Sequence, residues 1–294
     1  MILSYAGPDL SSGRRALVRG IERLTGGSAL RRAHARYERA RHDPHDVQPF
    51  NTRATRSLQL TLQPHFVTPV PASGGLLIVA NHPMGPLDGL AIAASIEHLR
   101  QDVRTLIWDT IDVPPHARSH FLPMDLSDTT VRARRQNVRV RREAIAHLKG
   151  GGAVLLFPAG AAEITRHPFA APEEAPWTPL ALHLARAAGV PIQPVLVDAH
   201  NSRLFHVASH LGYTARRALY VRETTRRIGG TIRLCFGHPV SEAELEAASG
   251  PDDPPATTVN GPAATAPGAG RAVAQAHDRA MTARLRAMTL ALRR

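Results

Sequence analysis

The chain has 294 residues, with 36 Lys+Arg against 24 Asp+Glu, a formal net charge of +12, and 43% hydrophobic residues. That apolar share supports a packed core and excludes global disorder, while a single cysteine, Cys235, excludes an internal disulfide framework and a multi-thiolate zinc site. No apolar run reaches the ~18–20 residues that span a bilayer, and the first residues lack the basic start and apolar stretch of a secretion signal, so a soluble or peripheral cytoplasmic protein is expected.

Residues 1–12 read as a loose tail. From Arg14 to Arg41 the pattern is helical and basic, with Leu17, Ile21 and Leu24 on one face and Arg14, Arg15, Arg19 and Arg23 around it. Gly26-Gly27 is expected to break this segment in two, and Asp43-Pro44 to end it. The organisation read from composition is a basic helical region over 1–71, an α/β domain over 72–248, a flexible linker over 249–270 rich in Pro, Ala, Gly and Thr, and a C-terminal helix over 271–294. Within the central domain, strands are predicted over 76–80, 104–108, 153–157, 192–197 and 231–236. Helices are predicted over 89–100, 129–149, 179–188 and within 214–227. Strands alternating with helices imply an α/β fold with a largely parallel sheet flanked by helices. Ligands in such sheets sit beyond the carboxyl ends of the strands, so the segments after Ala80, Phe157 and Val197 are where chemistry is sought.

After the first of these strands the chain reads NHPMGPLDG, residues 81–89. His82 stands at the strand end, and Asp88 follows six positions later at a helix start. The loop between them holds Pro83, Gly85 and Pro86, which fix a tight path able to turn the carboxylate onto the imidazole. An aspartate on one ring nitrogen holds the tautomer and leaves the other nitrogen to take a proton from a hydroxyl, help worth about 10²–10⁴ in rate. The same residues also suit a plain helix cap beside a packed histidine. After the third strand, Phe157-Pro158-Ala159-Gly160 combines little side-chain bulk with a glycine that lets backbone amides approach a ligand, or is simply a turn. After the fourth, His200-Asn201-Ser202-Arg203 is a polar cluster and a natural helix cap. Arg222-Glu223 precedes a basic turn and reads otherwise as a solvated pair.

The ordered set resembles the glycerophospholipid-type acyltransferases, which carry a His…Asp pair, a Phe-Pro-x-Gly block and a later Pro-containing strand. Within that superfamily it is most similar to the bacterial branch acting on lyso-ornithine lipids and related lysophospholipids. That branch has NHPxGxxDG, matched in full here. It also has an asparagine on a basic helix before Lys-x-Gly-Gly (Asn137, then LKGGG), FPAG at 157–160, a tryptophan before the next helix (Trp177), Asn-Ser-x-Leu-Phe at 201–205, Arg222-Glu223 and Gly237-His238-Pro239. The block after the glycine departs from the superfamily's Phe-Pro-Glu-Gly-Thr-Arg: it reads FPAGAA, with Ala161 where the branch has an acidic residue.

The resemblance implies transfer of a fatty acyl group from an acyl carrier protein or CoA thioester to the hydroxyl of a membrane lyso-lipid. It implies His82 as general base and Asp88 as its orienting partner. Substrate-binding positions implied by it are Asn81, Pro83, Gly85, Gly89, Asn137, Phe157, Pro158, Gly160, Asn201, Ser202, Arg203, Arg222 and Glu223. Oxyanion donors are expected near Asn81, Gly85 or the 157–160 turn. No cofactor and no metal are expected. The partners implied are the thioester donor, the lyso-lipid and an anionic membrane surface, reached either by the basic N-terminal helices lying in the interface or with those helices packed on the domain. The alternative function is a non-catalytic, basic peripheral membrane protein that retains the fold, motivated by the residues at 159–162. Nucleic acid is not expected, because the chain lacks a helix-turn-helix, a zinc-finger spacing and an aromatic RNA-binding motif.

Overall fold

The computed structural model describes residues 4–7, 10–111, 113–125, 130–168, 170–248 and 269–293. Its frame is a seven-stranded sheet in the order β1-β9-β8-β2-β5-β3-β4. The strands are β1 Thr61–Phe66, β2 Leu76–Ala80, β3 Val103–Trp108, β4 Phe121–Met124, β5 Ala153–Leu156, β8 Ile192–Asp198 and β9 Thr231–Phe236. Every neighbouring pair is parallel except β8–β9, which is antiparallel. The largely parallel α/β sheet expected from the sequence is therefore present.

β2 and β5 are buried at every residue, as strands covered on both faces must be, and this is why they read as continuous apolar runs rather than alternating ones. Helix α4 (Pro86–Ile96) crosses from β2 to β3, and α5 (Val131–Lys149) from β4 to β5. Helix α6 (Leu180–Ala188) precedes β8, and α7 (Arg203–His210) and α8 (Tyr213–Arg226) follow it. One core layer contains Ile78, Ile92, Ile96, Val195 and Phe236; the other contains Leu77, Val79, Leu148, Leu156 and Leu182. The parallel strands β8, β2, β5, β3 and β4 all point their carboxyl ends the same way. Residues 81–88, 157–160 and 199–202 are thereby gathered at one end of the sheet.

Strands 76–80 and 231–236 fall where expected, and the other three predicted strands are displaced by at most one residue at an end. Several elements escaped the sequence reading, among them helix α3 (Phe50–Ser57), β1 and β4. β1 lies inside the segment read as a basic helical region and forms the sheet edge against β9. Its exposures do not alternate, and it contains Pro64, tolerated because an edge strand leaves one side unpaired.

The basic segment forms α1 (Ser12–Glu22), a wide turn over Arg23–Gly27 kinked at Gly26, and α2 (Ser28–His42). It packs on the domain, and its inward face differs from the expected stripe. Leu17 and Leu24 are exposed, whereas Val18 packs with Ala6, Leu10 and Ala218, with Ile21 partly buried beside them. Buried Glu22 fixes this rotation: it accepts Ser4 Oγ–H and Tyr5 N–H, each at 2.6 Å, and ties the preceding segment to the helix. α2 buries Leu30, Ala33 and Tyr37.

The linker expected over 249–270 lies outside the described residues up to 268. Helix α10 (Ala269–Leu290) packs back across α6, α9 (Glu242–Ala247) and β8, with Met281 and Leu285 fully buried. Among the described residues no helix is long and apolar enough to cross a membrane.

Candidate active site

β2 delivers His82 to the carboxyl end of the sheet because Asn81 pins the strand's last step. The Asn81 amide donates to Val197 O at 3.0 Å and its carbonyl accepts Val197 N–H at 2.7 Å, extending the β2–β8 ladder by a side chain. Asn81 is fully buried. The next residues turn sharply. Gly85 has φ +86°, and a Cβ there would lie 3.0 Å from the Tyr220 ring, so both backbone and space demand glycine. α4 starts at Pro86, three residues earlier than expected, which places Asp88 in its first turn.

Asp88 is fully buried and reaches back over the turn. Its Oδ2 accepts Met84 N–H and Gly85 N–H, each at 3.0 Å, and lies 2.9 Å from His82 Nδ1. The two readings of Asp88 therefore both hold: it satisfies orphan amides at the helix start and faces the imidazole. Burial raises its pKa above the usual carboxylate range, opposed by His82 and the two N–H groups. The Phe157 ring stacks on the His82 ring at 4.1 Å between centroids, and Gly89 packs against that same Phe157 ring.

The chain after Gly160 forms a hairpin of β6 (Ile164–Thr165) and β7 (Pro172–Glu173), and its two ends grip His82. Glu163 N–H donates to His82 O at 3.1 Å. On the other side His82 N–H donates to Glu174 Oε1 at 2.6 Å, while Trp177 Nε1–H donates to Glu174 Oε2 at 2.6 Å. Burial pushes the Glu174 carboxyl up to about 7, against the pull of these two N–H donors. The Glu163 carboxylate meets His200 Nδ1 at 3.1 Å. Glu163 was noted in the sequence only as a candidate stand-in for the acidic residue absent at Ala161, and Glu174 was not singled out. Glu173 and Glu174 are adjacent and alike there, and only the fold turns one outward and buries the other. Trp177, three residues on, was the available signal.

Asn201 comes to the same place: its amide donates to Pro83 O at 3.0 Å. Ser202 caps α7 and is held by buried Glu223, which accepts Ser202 N–H at 2.8 Å and Ser202 Oγ–H at 2.6 Å; Arg222 Nη1 donates to Glu223 Oε1 at 2.7 Å. Arg222 and Glu223 therefore act as one network with Ser202 rather than as a solvated pair. Arg203 is exposed at the start of α7.

The 157–160 turn closes through Gly160 N–H to Phe157 O at 2.9 Å, with Gly160 at φ +71°. Pro158 O accepts Thr178 N–H at 3.0 Å, which anchors the turn. Asn137 lies elsewhere. It packs on α5 beside β4, three strands from β2 or about 14 Å at ordinary strand spacing, and its side chain bonds both the N–H and the C=O of Asp125. Among the described residues no group of three or more His, Cys, Asp or Glu is placed to hold a metal ion.

Chemically, the arrangement is a half-buried imidazole with a buried carboxylate on one nitrogen, its main chain clamped on both sides and its ring held flat by an aromatic. Such a group is pre-set to exchange a proton at its second nitrogen. Among solved structures, the 1-acyl-sn-glycerophosphate (LPA) acyltransferase PlsC from Thermotoga maritima is similar at 18% identity, over 79% of this chain and 74% of that one, with a TM-score of 0.41. No curated protein matches. The family model described as Acyltransferase matches residues 49–253, more than half of the chain and spanning His82, Asp88, the 157–160 turn and the Glu223 network. The chain belongs to this acyltransferase family and is an acyltransferase.

Proposed function

We propose that this acyltransferase moves a fatty acyl group from a carrier-protein or CoA thioester to the hydroxyl of a membrane lyso-lipid, a lysophospholipid or lyso-ornithine lipid, at the inner face of the cell membrane. The observation that carries this reading is the 2.9 Å contact between His82 Nδ1 and fully buried Asp88. Asp88 holds the tautomer, so Nε2 takes the proton of the acceptor hydroxyl as its oxygen attacks the thioester carbonyl carbon. A C–O bond forms, the tetrahedral intermediate collapses with loss of the C–S bond, and the proton on Nε2 passes to the leaving thiolate. The imidazolium present between these steps is stabilised by the Asp88 carboxylate.

Of the three places considered for oxyanion donors, two are committed elsewhere. The Asn81 amide bonds Val197, and Gly85 N–H bonds Asp88. In the 157–160 turn Gly160 N–H is likewise taken, by Phe157 O, and Pro158 carries no N–H, so Ala159 N–H is the donor assigned to the oxyanion; one well-placed donor is worth about 3–4 kcal/mol of barrier. Phe157, Pro158, Gly160, Pro83 and Gly89 shape the floor of this site. Asn201, Ser202, Arg203, Arg222 and Glu223 form the wall nearest α7, where an acceptor headgroup is received. Asn137 contributes by holding Asp125, just after β4, through its side chain.

The test supplies labelled acyl-carrier and acyl-CoA thioesters with a panel of lyso-lipids to wild type and His82→Ala. Labelled diacyl product from one acceptor, lost in the variant at unchanged fold, supports the reading. Product formed equally by the variant removes His82 from the role.

A further inference from the structure

Helix α7 carries an apolar stripe that no other element covers. Leu204, Val207 and Leu211 follow one another at i, i+3 and i+7, and their relative exposures are 49%, 38% and 80%. The opposite face of the same helix is packed: Phe205, His206 and Ala208 are buried. Two further exposed apolar groups extend the stripe. Ile164 of β6 immediately precedes Thr165, whose Oγ1 lies 2.9 Å from His210 Nε2 at the end of α7. Tyr213 opens α8 and stands 5.8 Å from the Trp108 ring.

The surroundings are predominantly basic, and exposed Glu173, opposite Ile164 in the β6–β7 pair, is itself ion-paired with Arg166 at 2.7 Å. α7 has no acidic residue, Arg203 and His210 flank the stripe, and the Arg216 guanidinium lies 5.5 Å from the Tyr213 ring. An apolar strip bordered by cations, with a Trp–Tyr pair at one end, matches the cross-section of an anionic bilayer surface: hydrocarbon under the leucines, lipid phosphates at the arginines, aromatic rings at headgroup depth. An acidic protein would match the arginines but leave three aliphatic side chains without a use.

We infer that α7, with Ile164 and the Trp108–Tyr213 pair, is the face this protein lays on an anionic bilayer, and that it docks there by inserting Leu204, Val207 and Leu211. This deepens the acyl-transfer reading and rests on it for its purpose. α7 begins one residue after Ser202, and the neighbouring Asn201 bonds Pro83 beside His82. A lyso-lipid in a bilayer against α7 therefore presents its headgroup-level hydroxyl toward His82 without leaving the membrane. Of the two readings of the basic N-terminal helices, it keeps the one in which they pack on the domain, as they do against α8 and the core, and gives the membrane contact to α7.

The experiment is vesicle partition of the full chain, with phosphatidylglycerol–phosphatidylcholine vesicles, read by co-sedimentation and by the fluorescence of Trp108. Only two tryptophans are present and Trp177 is buried, so the signal is assignable by Trp108→Phe. Wild type is expected to bind and shift its emission to the blue. Leu204→Glu with Leu211→Glu, at exposed positions that leave the fold and its melting temperature unchanged, is expected to bind at least about tenfold more weakly. That variant is expected to keep turnover on a short-chain acceptor below its micellar concentration. Partition equal to wild type overturns the inference. So does binding that high salt abolishes while the glutamates have no effect, which assigns attraction to charge elsewhere. Loss of turnover with a carrier-protein donor alone, with partition unchanged, also overturns it by giving the face to an acidic protein. If the partition pattern holds but wild type transfers no acyl group to any acceptor, the docking face stands and the acyl-transfer reading fails.

Discussion

At His82 and Asp88, the proposed catalytic pair, activity and stability are expected to pull in opposite directions, and the two can be separated by single substitutions. Removing the imidazole in His82→Ala is expected to lower kcat by about 10²–10⁴-fold, measured by product formation at saturating donor. Asp88→Asn keeps an oxygen to accept Met84 and Gly85 N–H but removes the charge facing the ring, so kcat is expected to fall by about tenfold or more. Its stability is expected to move the other way. The Asp88 pKa is raised in the folded state, so this group's contribution is full below the ordinary aspartate range and is lost as pH rises through the raised value. The asparagine variant does not titrate. It should melt above wild type on the alkaline side of that value and converge with it in acid. Glu174 obeys the same sign with a stated window: its contribution is present below 4.5 and lost as pH rises through about 7. Glu174→Gln retains an acceptor for only one of the His82 and Trp177 donors. The expected result is a kcat lowered by about 10–10²-fold with little change in KM, since the main chain of His82, the proposed base, is displaced rather than the substrate site. Its melting temperature relative to wild type should rise from about pH 4.5 to about pH 7 and level off above. A variant with unchanged kcat would show that Glu174 only fills space.

At the scale of elements, β2 and its neighbours are coupled by a side chain rather than by main chain alone. Asn81→Ala leaves both the N–H and the C=O of Val197 without their partners in a fully buried setting. The expected cost is about 2–4 kcal/mol in urea unfolding, large for a single amide. This scale also shows what a reader of the sequence can recover. β2 and β5 were legible because strands buried on both faces are unbroken apolar runs, and β8 through its Val195–Val197 run despite buried Gln193; His82, Asp88 and Phe157 followed from where such strands end. β1 was not, because its stabilising partners are β9, some 170 residues away, and its own side chains are mostly exposed. The inward face of α1 was mispredicted for a related reason: apolar spacing favoured Leu17 and Leu24, whereas the buried charge of Glu22, bonded to Ser4 and Tyr5, decides the rotation. The β6–β7 clamp was invisible because a two-residue strand has no periodicity, and its purpose lies in contacts to His82 rather than in its own residues.

For the molecule as a whole, α10 completes a core it does not adjoin in sequence. Met281 and Leu285 are fully buried with Leu182, Ile192 and Leu245, and Leu292 lies against Gly237. Removing residues 269–294 is expected to cost about 3–6 kcal/mol for the two fully buried side chains alone, seen as a lowered urea midpoint. The charge of the molecule has a different consequence. Nearly all of it is arginine, and Lys149 ends α5, a helix that runs antiparallel to the strands it connects. Leu148 beside it lies against Gly75 at the amino end of β2, while His82 stands at the carboxyl end. Among side chains, amine-selective reagents therefore meet one primary amine, on the side of the protein away from the imidazole. A linker attached there would hold every molecule on a sensor chip with its reactive end outward, and a fluorophore attached there would report on tumbling without touching catalysis.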